Sequence, residues 1–240
     1  PRCGDAPLCQ QGLDLPRDET DPQWPHLVIE AAKAAGFDRL DRLGEGANGP
    51  ELVSAEEVAR RRGFVDPATA RTLGAPAGNG DTVYLCAVDR DRMAVSLIQS
   101  NAAGFGAHLG IESLGILLQN RGIGFSLEPG HLAEYGPGRR PPHTLAPALV
   151  THPDGSLAAV LGTMGGDSQP QVVLQMLARL LGAGLQAEEA VARPRWALTT
   201  PNSRGFETWT DPDLLTVSVE PGAPDTWLPG LQSRGHRVEL

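Results

Sequence analysis

Asp81-Thr82 joins a loop of small residues, "APAGNG", to an apolar-rich run, "TVYLCAVDRDRMAVSLIQS". A threonine at the start of a chain holds nucleophile and base in one residue. Its α-amine, with a pKa of about 8, can take the proton of its own hydroxyl without any histidine. The loop before Thr82 is open enough for that hydroxyl to attack the preceding carbonyl, so a self-cut at Asp81–Thr82 would create such a terminus. A threonine at a strand start is equally a β-branched packing residue. On this stretch alone both readings stand.

A second chemical feature is "LGTMGGDSQ", a strand, a Gly-Gly corner and a helix start. Gly165 and Gly166 allow the backbone to turn its N–H groups outward, and the helix that follows adds partial positive charge. Such a corner can hold an oxyanion or a phosphate, or be a plain turn. Phosphate has the weaker support, because neither G-K-[ST] nor G-x-G-x-x-G is present. The sequence also lacks a G-x-S-x-G elbow and an H-E-x-x-H helix. Its histidines, His26, His108, His131, His143, His152 and His236, are scattered and read singly as surface or packing residues. Cys3, Cys9 and Cys86 show no metal spacing; Cys3 and Cys9 could pair, and Cys86 reads as a small core residue. No metal and no organic cofactor is expected.

Composition narrows the class. The net charge of −9 argues against nucleic acid as a partner, since phosphate neutralisation needs clustered cations. Arg60-Arg61-Arg62 and Arg139-Arg140 read as solvated surface or turn residues. No apolar run is long enough for a membrane span. No secretory signal pattern is present; a cytoplasmic product is the expectation, with export left open by an N-terminus that begins at Pro1. Aromatics at 5%, with 29 glycines and 21 prolines, predict a loop-rich fold.

The elements that must position these residues follow from periodicity. Residues 1–25 read as an extended lead-in. "HLVIEAAKAAGFDRLDR" predicts a helix with a break at Gly36, and "SAEEVARRR" a second helix opened by a Ser54/Glu57 capping box. Residues 82–89 and 93–99 predict a hairpin around Arg90-Asp91-Arg92, and 113–120 a third strand. "HPDGS" joins two further strands. After Gly166, Val172, Val173, Met176, Leu177, Leu180 and Leu181 form a helical apolar stripe, with Asp167 or Ser168 as cap and Gly182 as end. "AEEAVARPRWAL" predicts a helix stopped by Pro194, "LLTVSV" a strand, and the last segment a short helix leading into a strand. The order gives α/β (α+β) layering with a mainly antiparallel sheet.

Taken together and in order, "GDTVYLCAVDRDRMAVSLIQS", "GFG", "GILLQNRG", "RRPPHTLAPALV", "LGTMGGDSQPQVVLQML" and "EAVARPRW" resemble the γ-glutamyltransferase family, in its cephalosporin-acylase-like branch. The resemblance runs from about Asp14 onward and implies an N-terminal-nucleophile hydrolase with an αββα sandwich, incomplete in this chain. It implies that residues 1–81 are the end of a large-subunit region with its processing loop. Residues 82–240 would be a small-subunit catalytic region, with further chain expected before Pro1 and after Leu240. It implies autoproteolysis between Asp81 and Thr82, with Thr82 as nucleophile, Ser100 as its supporting hydroxyl, and Gly165 and Gly166 as the oxyanion hole. Thr144 falls where the family has a serine pair near the substrate, with His143 beside it. The implied partners are a small-molecule amide and the two fragments of the precursor.

Several positions depart from that pattern. Arg121 and Gly124 stand where transpeptidases carry the Gln and Asp that hold the substrate's α-amine. Arg121 would repel that amine and suits a carboxylate, as in a dicarboxylate-type acyl group; it also reads as a loop arginine facing water. Arg92-Met93 replaces the family's Gly-Asn, and Ala102 replaces an asparagine near the substrate. The expected activity is hydrolysis or acyl transfer on γ-glutamyl or related dicarboxylate-type amides. The rivals are a non-catalytic truncated pseudoenzyme of the same family and, from another class, a phosphate-binding module built on Gly165-Gly166.

Overall fold

A computed structural model describes residues 13–72, 81–200 and 212–240. The proposed Cys3–Cys9 pair and most of the loop before Asp81 lie outside the described residues.

Helix α1 (Gln23–Gly36) begins three residues before the predicted start and ends at the predicted glycine; α2 (Arg39–Arg42) and α3 (Gly49–Leu52) are single turns. Helix α4 (Ala55–Arg62) opens on Ser54, whose Oγ accepts from Glu57 N at 3.2 Å. The return half of the capping box is not formed, because the Glu57 carboxylate is taken by Arg60 and Arg61. Arg61 also donates to Ala34 O and to both oxygens of Asp38, tying α4 to the end of α1. These arginines are therefore structural and not merely solvated. The Arg61 guanidinium satisfies carbonyls that the α1 terminus leaves without helical partners.

Strands β1 (Asp81–Val88) and β2 (Ala94–Ala102) form the predicted hairpin. At its turn Asp89 Oδ1 accepts from Asp91 N and Met93 N, both at 2.9 Å, and Arg92 adopts φ 67°. That left-handed angle suits the glycine of the family pattern, and a side chain there is strained. Cys86 is exposed, contrary to expectation, as are Val83, Leu85, Val95 and Leu97 along the same hairpin. The strand expected over 113–120 also fails. Instead β3 (Gly110–Ile111) and β4 (Ile116–Leu117) form a minimal ladder around a turn at Glu112–Leu114. "HPDGS" does join β5 (Ala148–Thr151) to β6 (Leu157–Leu161).

Helix α5 (Gln169–Leu177) runs into a wider turn at Ala178–Ala183 that ends at Gly184 with φ 73°, two residues beyond the predicted Gly182. Helix α6 (Ala187–Ala192) precedes β7 (Trp196–Thr199), which pairs antiparallel with β8 (Thr216–Val219). Helix α7 (Trp227–Gln232) returns the chain to β9 (Val238–Glu239), parallel to β8. Every other strand pair is antiparallel, but among the described residues the strands make four small sheets and not one continuous sheet.

The core lies where α1, α5 and α7 cover β7 and β8. Trp24, Val28, Ile29, Trp196, Leu198, Val217, Trp227 and Leu231 are its main residues. Trp24 and Trp227 stack at 5.7 Å, and Trp227 Nε1 donates to Glu19 O. The predicted apolar stripe of α5 is only partly buried; the helix buries Gln171, Gln175 and, one turn on, Arg179. Gln175 donates to Trp196 O and accepts from Trp196 N, while Gln171 Oε1 accepts from Leu198 N at 2.7 Å. The two amides thus occupy the edge of β7 that no strand pairs among the described residues, where bare groups would be costly. Arg179 bonds both oxygens of Glu19 and the carbonyls of Ala190, Arg193 and Pro194, with its guanidinium 5.5 Å from the Trp24 ring centre.

A second buried polar group joins α1 to the C-terminal segment. His26 Nε2 donates to Asp66 O at 2.8 Å, which leaves Nδ1 to accept from His236 Nε2, also at 2.8 Å. Beside them Glu30 accepts from Lys33 Nζ at 2.8 Å and from Arg71 N. Burial holds both histidines below their ordinary pKa, His236 at about 3 with Lys33, His26 and Arg234 adding repulsion. Both rings are therefore neutral when folded and take up protons more readily when unfolded. Stability should be level above about pH 6.5 and fall as pH drops from there toward about 3. Urea midpoints at about pH 7 and about pH 5 test this, and His236→Gln should flatten the difference. Equal midpoints in the wild type would exclude it.

Candidate active site

The β1–β2 ladder sets Thr82 opposite Ser100 and then slips. Asp81 pairs with Ala102, so Asn101 is an extra residue and the expected cleavage bond falls on a bulge. Thr82 is 6% exposed, and its Oγ1 donates to Ser100 Oγ at 3.1 Å. Ser100 Oγ also accepts from Ala102 N and from Arg121 Nη2, each at 3.0 Å. Ala102 is fully buried with φ 75°, a conformation that asparagine tolerates better than alanine. Strain of this kind gathers at functional sites.

Arg121 reaches Ser100 because Asn120 is anchored on both sides: its N–H donates to Asn101 O and its Oδ1 accepts from Ala103 N, both at 3.0 Å. Burial lowers the Arg121 pKa, and an arginine still remains charged at neutral pH. Arg121 opens a single turn that ends at Gly124. A Cβ at Gly124 would stand 2.7 Å from Pro142 O, so only glycine lets the Pro141–Pro142 segment lie this close. That segment leads to His143, whose Nδ1 accepts from Leu145 N at 3.2 Å. Partial desolvation, then the charges of Arg121 and Arg39, hold His143 below its usual pKa and hence neutral. Next to it the Thr144 hydroxyl is buried with no hydrogen-bond partner among the described residues.

The glycine corner arrives from β6. Leu157 O accepts from Arg92 at the hairpin turn, and Leu161 O accepts from Ser96 Oγ midway along β2. Strand β6 therefore runs alongside β2 from the turn toward Ser100, and Gly162 just beyond it lies against the Tyr84 ring of β1. Gly165 has φ 115° and Gly166 φ 57°. Ser168 bonds back to Gly165 O through N at 3.0 Å and Oγ at 2.8 Å, and a Cβ on Gly165 would meet that Oγ at 2.3 Å. Neither predicted cap works as a cap: Ser168 is spent on Gly165, and Asp167 is ion-paired to Arg39 of α2. Backbone donors fixed in this way can stabilise charge that develops on a carbonyl oxygen.

Hydrogen bonds link Thr82, Ser100 and Arg121, and an ion pair links Arg39 to Asp167 beside Gly165 and Gly166; His143 feels the charges of Arg121 and Arg39, and among the described residues no hydrogen bond ties the glycine corner to Thr82. Arg39 was invisible to sequence reasoning, because nothing in "FDRLDR" ties it to a residue 128 positions away. Among the described residues His26, Glu30 and His236 bring three metal-type donor atoms within 4.8 Å of one another. Lys33 already balances the carboxylate there, so the group reads as a structural network.

The sequence pattern of the family described as Gamma-glutamyltranspeptidase matches residues 9–240. An oxamate amidohydrolase proenzyme of Klebsiella pneumoniae is 37% identical over 227 residues, covering 93% of this chain and 41% of its own length. A glutathione hydrolase-like YwrD proenzyme of Bacillus subtilis is 32% identical, covering 91% of this chain and 40% of its own. The crystal structure of cephalosporin acylase from Bacillus halodurans superposes with a TM-score of 0.79 at 31% identity, covering 97% of this chain and 41% of that one. The chain thus spans about two-fifths of the length of the curated relatives it matches. A match over nearly the whole chain, together with this superposition, makes the protein a member of the γ-glutamyltranspeptidase family, with part of its N-terminal-nucleophile hydrolase fold.

Proposed function

We propose that this chain carries the catalytic part of an autoprocessed amidohydrolase whose nucleophile is Thr82 and whose acyl substrate bears a carboxylate. The observation that carries the reading is the linked set Thr82–Ser100–Arg121. The threonine hydroxyl sits at a ladder bulge, bonded to a serine that a half-buried guanidinium also holds. Attack of Thr82 Oγ1 on the Asp81 carbonyl gives an ester, and water then releases the new terminus. The freed α-amine serves as general base for attack on an amide, the Gly165–Gly166 corner receives the oxyanion, and the leaving amine takes the proton. Water or an acceptor amine resolves the acyl-enzyme. Residues 1–81 and 82–240 are the two fragments on this reading.

Arg121 directs the choice of substrate. Its Nη2 is two short hydrogen bonds from the nucleophile, 3.0 Å to Ser100 and 3.1 Å from there to Thr82. A carboxylate at Arg121 must therefore lie close to the scissile carbonyl, which favours short acyl groups. The Klebsiella relative is named for oxamate, whose carboxylate adjoins its amide carbonyl, and that is the substrate we assign first. A γ-glutamyl amide would need a partner for its ammonium, and Gly124 leaves no room for one.

Three outcomes test this. Wild-type protein should run as two pieces, about one third and two thirds of the chain, the larger beginning at Thr82. Thr82→Ala should stay whole and inactive. A cut Thr82→Ala variant, or a wild type that stays whole and inactive as a pseudoenzyme would, rules the mechanism out. Arg121→Gln should lower kcat/KM on oxamate by about 10- to 100-fold, the worth of a charged hydrogen bond, with less effect on an uncharged amide. An equal loss on both amides would remove Arg121 from substrate recognition. Thr144→Val deletes an unpartnered buried hydroxyl, so stability should hold or rise by about 1 kcal/mol while KM increases. A thermal melt beside steady-state kinetics separates the two effects, and loss of stability without change in KM would refute the assignment.

A further inference from the structure

We infer that Arg39 is a positioning residue for the Gly165–Gly166 corner, acting through Asp167 from a segment that precedes the cleavage bond. The inference rests on the corner being the oxyanion site proposed above. The corner is held from three sides. Ser168 ties off Gly165 O from within the turn. Asp167 O accepts from Gln171 Nε2 at 3.1 Å, which joins the turn to α5. The Asp167 carboxylate, 4% exposed, is ion-paired to Arg39, itself 15% exposed. Removing the first two holds would disturb α5 and β7, whereas the third is a side-chain clamp from an independent element.

Gly165 and Gly166 take their positive φ without steric cost, and the same backbone freedom means that ties from outside must hold the turn in one conformation. Small displacements also matter there, because a backbone donor must meet the oxygen at the moment charge develops. Arg39 therefore acts in the transition state more than on substrate binding. Its charge also disfavours protonation of His143, after desolvation and Arg121. Because Arg39 precedes Asp81–Thr82, cutting that bond would leave the clamp spanning two fragments. The upstream fragment would then be a working part of the site and not a discarded propeptide.

Arg39→Gln and Asp167→Asn test the clamp, with Arg39→Lys and the swapped Arg39→Asp/Asp167→Arg pair as rescues. Hydrogen exchange should accelerate about tenfold in peptides covering 162–168 and stay unchanged over 94–102. On oxamate, kcat should fall about 10- to 100-fold with KM within about twofold. Arg39→Lys or the swapped pair should recover part of kcat. Unchanged exchange over 162–168 overturns the clamp, as does a loss confined to KM. If wild type is neither cut nor active but Arg39→Gln still loosens 162–168, the nucleophile reading fails and the clamp stands. If wild type is cut and active but the variant shows no loosening, the clamp fails and the nucleophile reading stands.

Discussion

Buried amides on α5 hold this molecule together where a hydrophobic contact would be expected. Gln171 and Gln175 fill the open edge of β7, and Arg179 continues the same face into Glu19 and the carbonyls before Pro194. An apolar helix face could cover that edge but not satisfy it, and each stranded backbone group would cost about 1–3 kcal/mol. The arrangement also sets a register. A helix docked by bidentate amides cannot slide along the strand as one docked by leucines can. Because α5 begins directly after the Gly165–Gly166 corner, that register is passed on to the site.

Arg179 and Glu19 show the cost side of the same design. An ion pair with side chains 0% and 5% exposed is tolerated only when every remaining donor is used, and Arg179 spends its others on three carbonyls. Replacing either partner alone would strand a charge next to the Trp24–Trp227 stack. The lead-in is thereby fastened to the wide turn after α5, with Leu15 packed against the core beside it.

Local features were legible in the sequence and long-range polar ones were not. The β1–β2 hairpin, the "HPDGS" turn, the break at Gly36 and the Pro194 stop each depend on residues within a few positions. Periodicity located α5 but named the wrong face as most buried, since a hydrophobic count cannot see glutamines that face a strand edge. "SLGILLQN" had the composition of a strand, yet Gly115 takes φ 63° and folds it back on itself within two residues. In the site, Thr82 and Ser100 were readable as hairpin partners and Gly165-Gly166 as a corner. Arg39 and the Ser100–Arg121 contact were not readable, because they join separate elements. Arg121 itself was singled out by its departure from a family pattern, which is a comparison and not a local signal.

The departures are coupled, and the coupling explains why they occur together. Placing a carboxylate at Gly124 would drive its Cβ into Pro142 O, so the loop carrying His143 and Thr144 would have to retreat. That retreat would take His143 from beside Arg121 and release the Thr144 hydroxyl from its buried position. Restoring a glutamine at 121 would remove the guanidinium from Ser100 Oγ while leaving the loop where it is. Neither change alone rebuilds a pocket for an ammonium group. The carboxylate-binding role proposed for Arg121 thus involves the wall as well as the charge, because glycine at 124 is what lets Pro142 lie against this turn.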